Sequence, residues 1–168
     1  MISKKEILSS INDEIKIIKH LGSKIKEEHL TYQPSEKQRT VLQLLQYLSY
    51  CGLGSATVVI NGNRDHGKAM SENSLKVNLG NFAAAMDDQM VKIESLLKDF
   101  DDKALSERDA SMPWGVPQKA GAAIVNKSLK FLVGYRMQLF LYLKDAGIAG
   151  LGTSNCWAGV DAPPPQAK

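Results

Sequence analysis

Along the first thirty positions apolar residues recur every three or four places: Ile7, Leu8, Ile11, Ile15, Ile18, Leu21 and Ile25 form one stripe, with lysines and acids between them. That period belongs to a helix with one buried face, and it predicts a helix from about Lys4 to Glu28. Ser3 lies three residues ahead of Glu6, the spacing of a capping box at a helix start. TYQPSEKQRT then breaks the pattern, because Pro34 disfavours a helical Gln33 and removes a backbone donor. Ser35 is placed to start a second helix, which carries VLQLLQYLSYCG and runs to about Val59. In it Val41, Leu44, Leu45, Leu48 and Cys51 make the buried face, and Tyr47 sits one step round from its centre.

From Asn61 to about Asn78 the period fails. NGNRDHGKAMSENSLKVN is rich in turn formers, and it predicts an irregular connection longer than compact domains usually need, of the kind that often carries function. A third helix follows, with Phe82, Met86, Met90, Ile93 and Leu97 on one face, and DFDDKALSERD closes it. The fourth and most apolar helix runs from about Lys119 to Lys144, with Gly147 placed to end it. Four amphipathic helices without a strand signal predict an all-α four-helix bundle with a long crossover between helices 2 and 3. Its length makes it a single domain over 1–168, with 148–168 an irregular tail.

Charge changes this picture little. The chain carries 21 basic and 18 acidic residues, mixed along its length, which is too weak and scattered a balance for a nucleic-acid partner. Lysines crowd the first helix, but Glu6, Asp13, Glu14, Glu27 and Glu28 alternate with them as on a solvated face. No run of eighteen apolar residues is present, and MISKKEILSS is charged where a signal peptide is apolar, so no membrane is expected and the expected location is cytoplasmic. Cys51 and Cys156 are then expected as free thiols.

Candidate chemistry is sparse. His20, His29 and His66 form no helical pair, and they read as surface or structural histidines. The acids Asp87 and Asp88, and Asp99, Asp101 and Asp102, are neighbours in sequence, so on a helix they point apart. No nucleophile motif, phosphate loop or zinc spacing is visible. Phe131, Tyr135, Gln138 and Tyr142 form a stripe on the fourth helix that Tyr47 could face from the second. The stripe is either core packing or a pocket that holds a small molecule by stacking and tyrosine hydrogen bonds, and Arg64 and Arg136 either add a positive charge to it or form surface ion pairs. Trp114 lies in the turn before the fourth helix and is expected to pack. Trp157, in the tail, is expected to anchor it onto the bundle.

TYQPSEKQRTVLQLLQYLSYCG, MPWG at 112–115, VGYRMQLFLYLKDAG at 133–147 and NCWAGVDAP at 155–163, taken in their order and spacing, resemble the DinB-like (DinB/YfiT-like) superfamily of putative metalloenzymes over residues 30–163. Trp157 and Asp161 match its WxGxD-like stretch. The resemblance implies a four-helix bundle with that long crossover, and frequent homodimers. It also implies three histidines on the second and fourth helices that hold a divalent metal for thiol transfer or isomerisation. Here the matching positions are Tyr47, Phe131 and Tyr135, so the three metal ligands are absent; phenylalanine cannot ligate, and a tyrosine must first lose a proton from a group with a pKa of about 10. No cofactor is therefore assigned. Two function classes stay open. One is a non-catalytic or metal-independent protein, dimeric, that binds a small molecule or serves in stress; its binding residues are Tyr47, Phe131, Tyr135, Gln138 and Trp157. The other is a metal-dependent thiol S-transferase or hydrolase of the DinB-like kind that uses non-standard ligands.

Overall fold

Ser3 starts helix α1 (Lys4–Gly22) as its spacing predicts: its hydroxyl accepts from the Glu6 amide at 3.2 Å, and the Glu6 carboxylate accepts from the Ser3 amide at 2.7 Å. The computed structural model describes residues 2–62, 65–111 and 116–163, so the expectations for Arg64 and for MPWG with Trp114 fall outside the described residues. Ile7, Ile11, Ile15, Ile18 and Leu21 are buried on one face of α1. The helix stops six residues short of the expected Glu28. Gly22 lies under the Phe82 ring, where a Cβ would stand 2.8 Å from ring carbons, and a short 3-10 turn at Glu27–His29 takes over the path.

Helix α2 (Val41–Asn61) starts five residues later than Ser35 suggested. Thr40 is the cap, with its hydroxyl accepting from the Gln43 amide at 3.2 Å and the Gln43 side chain accepting from the Thr40 amide at 2.9 Å. Ser35 instead closes a tight turn in which the Gln38 amide donates to its carbonyl at 3.0 Å. At the far end Gly62 adopts φ 71°, the left-handed conformation that ends a helix.

The crossover expected to be irregular contains a helix, α3 (Asp65–Ser74), which packs on α2. Its sequence is polar because, among its described side chains, a narrow strip of Met70 and Ser74 turns inward, and that is too short a pattern for periodicity to reveal. Helix α4 (Phe82–Leu96) follows as predicted. DFDDKALSERD does more than end it: Asp101 caps a further helix, α5 (Asp102–Glu107), by accepting from the Ala104 amide at 2.7 Å. The last long helix has the expected span but is not uniform. It comprises α6 (Ala120–Ile124), a π turn at Val125–Leu129 and α7 (Lys130–Asp145), ending ahead of Gly147 at φ 86°.

Helices α1, α2, α4 and α6–α7 pack on one another as a bundle, with α3 lying in the crossover between the second and third members. The fold is all-helical with the connectivity the sequence suggested. Gln89 of α4 is 1% exposed and clamps α2, accepting from the Leu53 amide and donating to the Leu48 carbonyl, both at 3.0 Å. Among the described residues no helix is long and apolar enough to cross a membrane.

The tail is less irregular than its prolines implied, because TSNCW precedes them and forms one helical turn, α8 (Thr153–Trp157). Asn155 and Cys156 are the buried anchors there, whereas Trp157 is 60% exposed and lays its ring against the Arg136 guanidinium, 4.6 Å away. Asn155 donates to Asp161 at 2.9 Å and faces His20 at 3.1 Å, while Lys24 pairs with Asp161 at 2.7 Å. Gly159, at φ 64°, comes so close that a Cβ would stand 3.1 Å from the Ile17 backbone. The tail thereby covers Ile17, an apolar residue outside the main stripe of α1.

Candidate functional site

Tyr47 is carried by α2 and Tyr135 by α7, and their rings meet edge to face with centroids 4.6 Å apart. Phe131, one turn earlier on α7, touches Tyr135 at 6.3 Å, and Tyr50, one turn later on α2, touches Tyr47 at 5.3 Å. Three of the five candidate residues thus stand together at one place in the bundle. Arg39, just ahead of the Thr40 cap, lays its guanidinium over the Tyr47 ring at 4.3 Å and reaches the Tyr135 ring at 5.8 Å. Beside this cluster lies a cavity of about 290 Å³, lined by Tyr47, Tyr50, Cys51, Gly54, Lys127 and Phe131 among others.

Gln138 and Trp157 stand elsewhere. Gln138 donates to the Tyr142 hydroxyl at 2.7 Å and borders an open groove along α7 with Pro34 and Leu141. Tyr142 packs edge to face on Tyr32, whose hydroxyl donates to Asp145. The stripe on α7 therefore serves two places, because the chain segment before α2 closes over its later half. Trp157 sits against Arg136, which is 1% exposed and has its Nε 2.9 Å from a Glu14 carboxylate oxygen of α1. Arg136 is thus a cation of the tail clasp and is committed to Glu14 and to the Cys156 carbonyl, to which it donates.

Electrostatics at the cluster favour neutral groups. Burial first, then the neighbouring Cys51 and Tyr135, hold the Tyr47 phenol well above its usual range. Burial likewise pushes the Cys51 thiol up to about 12, so it stays protonated at neutral pH. Cys156 is also free and buried.

Most of the remaining polar candidates have structural partners. His29 accepts from the Lys26 amide at 3.0 Å, and His20 belongs to the tail clasp; the His66 side chain lies outside the described residues. Asp87 pairs with Lys19 at 2.6 Å, Asp88 pairs with Lys92 at 2.5 Å, and Asp102 accepts from the Lys4 amide at 2.7 Å. Among the described residues no three His, Cys, Asp or Glu side chains are grouped so that they could hold a metal ion.

No protein-family model and no curated protein matches the sequence. Solved structures do. The chain overlays a DinB-like protein, YjoA, from Bacillus subtilis with a TM-score of 0.65 at 17% identity, over 88% of this chain and 96% of that one. A DinB-like protein from Bacillus cereus ATCC 10987 overlays with a TM-score of 0.66 at 13% identity, over 90% and 97% respectively. The fold is that of DinB-like proteins. At these identities the likeness is one of backbone, so what the DinB-like frame does here depends on its own side chains.

Those side chains do not suit the divalent metal that the DinB-like resemblance implies. Phe131 offers no donor atom, and Tyr47 is held in its protonated form by its surroundings. Three of the cluster residues went unnoticed in the sequence. Tyr50 and Lys127 were within reach of helical spacing, Tyr50 three places after Tyr47 and Lys127 four places before Phe131. Arg39 carried no such signal, because it precedes the helix and reaches the ring by the path of a turn.

Proposed function

We propose that this protein is a metal-independent DinB-like bundle that binds a small molecule at the aromatic cluster of Tyr47, Tyr135 and Phe131. The observation that carries this is the juxtaposition itself. Where the resemblance expects imidazoles, aromatic rings from α2 and α7 pack together beside a cavity of about 290 Å³. Stacking surfaces with a few phenol and hydroxyl groups hold a ligand by contact and orient it, and they need no Lewis acid to do so. Thiol transfer through the chain's own sulfur gains no support, since Cys51 is protonated at neutral pH and buried.

Metal analysis of protein purified without a histidine tag tests this proposal. Trace metal only is expected. Near-stoichiometric zinc, nickel or iron that chelation removes slowly would overturn it and favour a metal-dependent transferase or hydrolase with unusual ligands.

A further inference from the structure

The cavity beside Tyr47 has walls of one kind and a rim of another. Tyr47 and Tyr50 meet edge to face at 74° in a ring corner, and both line the cavity together with Phe131 of α7. Gly54 and Cys51 close the α2 side without a charged group. A flat apolar body fits such a corner, with one face on one ring and its edge on the other. At about 290 Å³ the space lies at the small end of ligand pockets, roughly 300–1,000 Å³, which suits a body of one or two fused rings.

The rim is cationic. Lys127 lies in the π turn at Val125–Leu129, and wide turns of this kind often occur at functional positions. The next residue, Ser128, is fully buried and donates to the Gly52 carbonyl at 2.8 Å, which pins the turn against α2 and fixes where Lys127 emerges. Lys127 lines the cavity and has no carboxylate partner among the described residues. Arg39, on the far side of Tyr47, is engaged only with ring faces. No Asp or Glu is among the cavity's described lining residues. Among the described lining residues Lys127 is the one charged group, and one ammonium beside apolar walls and the Ser55 hydroxyl matches a monoanion better than a phosphate, which calls for several converging cationic donors.

We propose that the cavity binds a planar aromatic carboxylate, its rings in the Tyr47–Tyr50–Phe131 corner and its carboxylate on Lys127. This rests on the small-molecule reading of the same cluster. Isothermal titration with 2-naphthoate and with its neutral analogue 2-naphthylmethanol tests the two separately. The acid is expected to bind at least about tenfold more tightly than the alcohol, roughly the worth of one charge-assisted hydrogen bond. Lys127→Gln, at a half-buried position and checked for native circular dichroism, should abolish that preference. Equal binding of acid and alcohol to the parent protein would overturn the carboxylate assignment while leaving a small-molecule site. A preference that survives Lys127→Gln would overturn the assignment of Lys127. Binding of neither compound would overturn this inference and, with it, the choice of this cavity as the ligand site; the metal question is answered separately by metal analysis.

Discussion

Replacing Arg136 with methionine removes one partner of a charge pair that spans the bundle from α7 to α1. The guanidinium is 1% exposed and the Glu14 side chain 15% exposed, and their closest atoms are 2.9 Å apart at an angle too oblique for a hydrogen bond. Charge, therefore, holds the pair. Arg136 also donates to the Cys156 carbonyl and underlies the Trp157 ring, so its loss loosens the tail as well. Removing one member of a buried pair leaves the other uncompensated and typically costs about 3–5 kcal/mol. For a domain of this size each kcal/mol lowers Tm by about 2–4 °C, so Arg136→Met should lower it by roughly 6–20 °C. The double variant Glu14→Leu/Arg136→Met should regain most of this, because it buries no lone charge.

The pH dependence carries a sign. Burial raises the Glu14 pKa and Arg136 opposes the rise. A carboxyl raised in the folded state contributes stability below its unfolded value, and that contribution is lost as pH climbs through the folded value. Without Arg136 the rise is larger, so the deficit of Arg136→Met should shrink as pH falls from about 7 towards 5. Urea unfolding followed by circular dichroism at both pH values measures it. A deficit below about 1 kcal/mol, or one that is unchanged by pH, would refute the reasoning.

Gln89→Leu should destabilise by about 2–3 kcal/mol, since two buried hydrogen bonds to the α2 backbone disappear; a urea midpoint unchanged from the parent's would contradict this. The protein is expected to be a homodimer, with apolar residues left on the outer helix faces, such as Leu141 at 55% exposed, buried between copies. Light scattering at tens of micromolar should give twice the chain mass, and a monomer mass would count against it.

The bundle was legible because its four long helices each keep an unbroken apolar stripe, and Ser3 and Gly147 mark ends by rules that act locally. Legibility ended where packing decided. Ser35 and Thr40 each have a glutamine three residues on, Gln38 and Gln43, but only Thr40 forms the reciprocal pair of cap bonds; the Ser35 hydroxyl donates to the Gln38 side chain instead. Helix α3 has too narrow a buried strip to show a period. The π turn leaves the apolar pattern of its helix almost intact and so cannot be read from it. At the site, helical spacing put Phe131 and Tyr135 on one face of α7, and the DinB-like resemblance set Tyr47 against them; in the fold the three rings meet. Gln138 and Trp157 were not, because a stripe on one helix says nothing of which neighbour covers each turn. Arg136 illustrates the same limit: read as a pocket cation or a surface ion pair, it is an ion pair with Glu14, but a buried one, on the side where the tail closes.

The account turns on whether Tyr47, Phe131 and Tyr135 occupy a former metal position. Tyr47→His, Phe131→His and Tyr135→His together would place imidazoles from α2 and α7 at one point, with 131 and 135 sharing a helix face. Losing aromatic packing costs a few kcal/mol, so the variant must first show native circular dichroism and cooperative unfolding. Zinc titration of the folded triple variant, beside the parent, is then the direct measurement. Saturable binding of one zinc per chain at about micromolar affinity or better, absent from the parent, is the predicted result. A folded variant that takes up no more zinc than the parent would contradict the equivalence of these positions and the proposal of a DinB-like frame whose metal ligands have been replaced by rings.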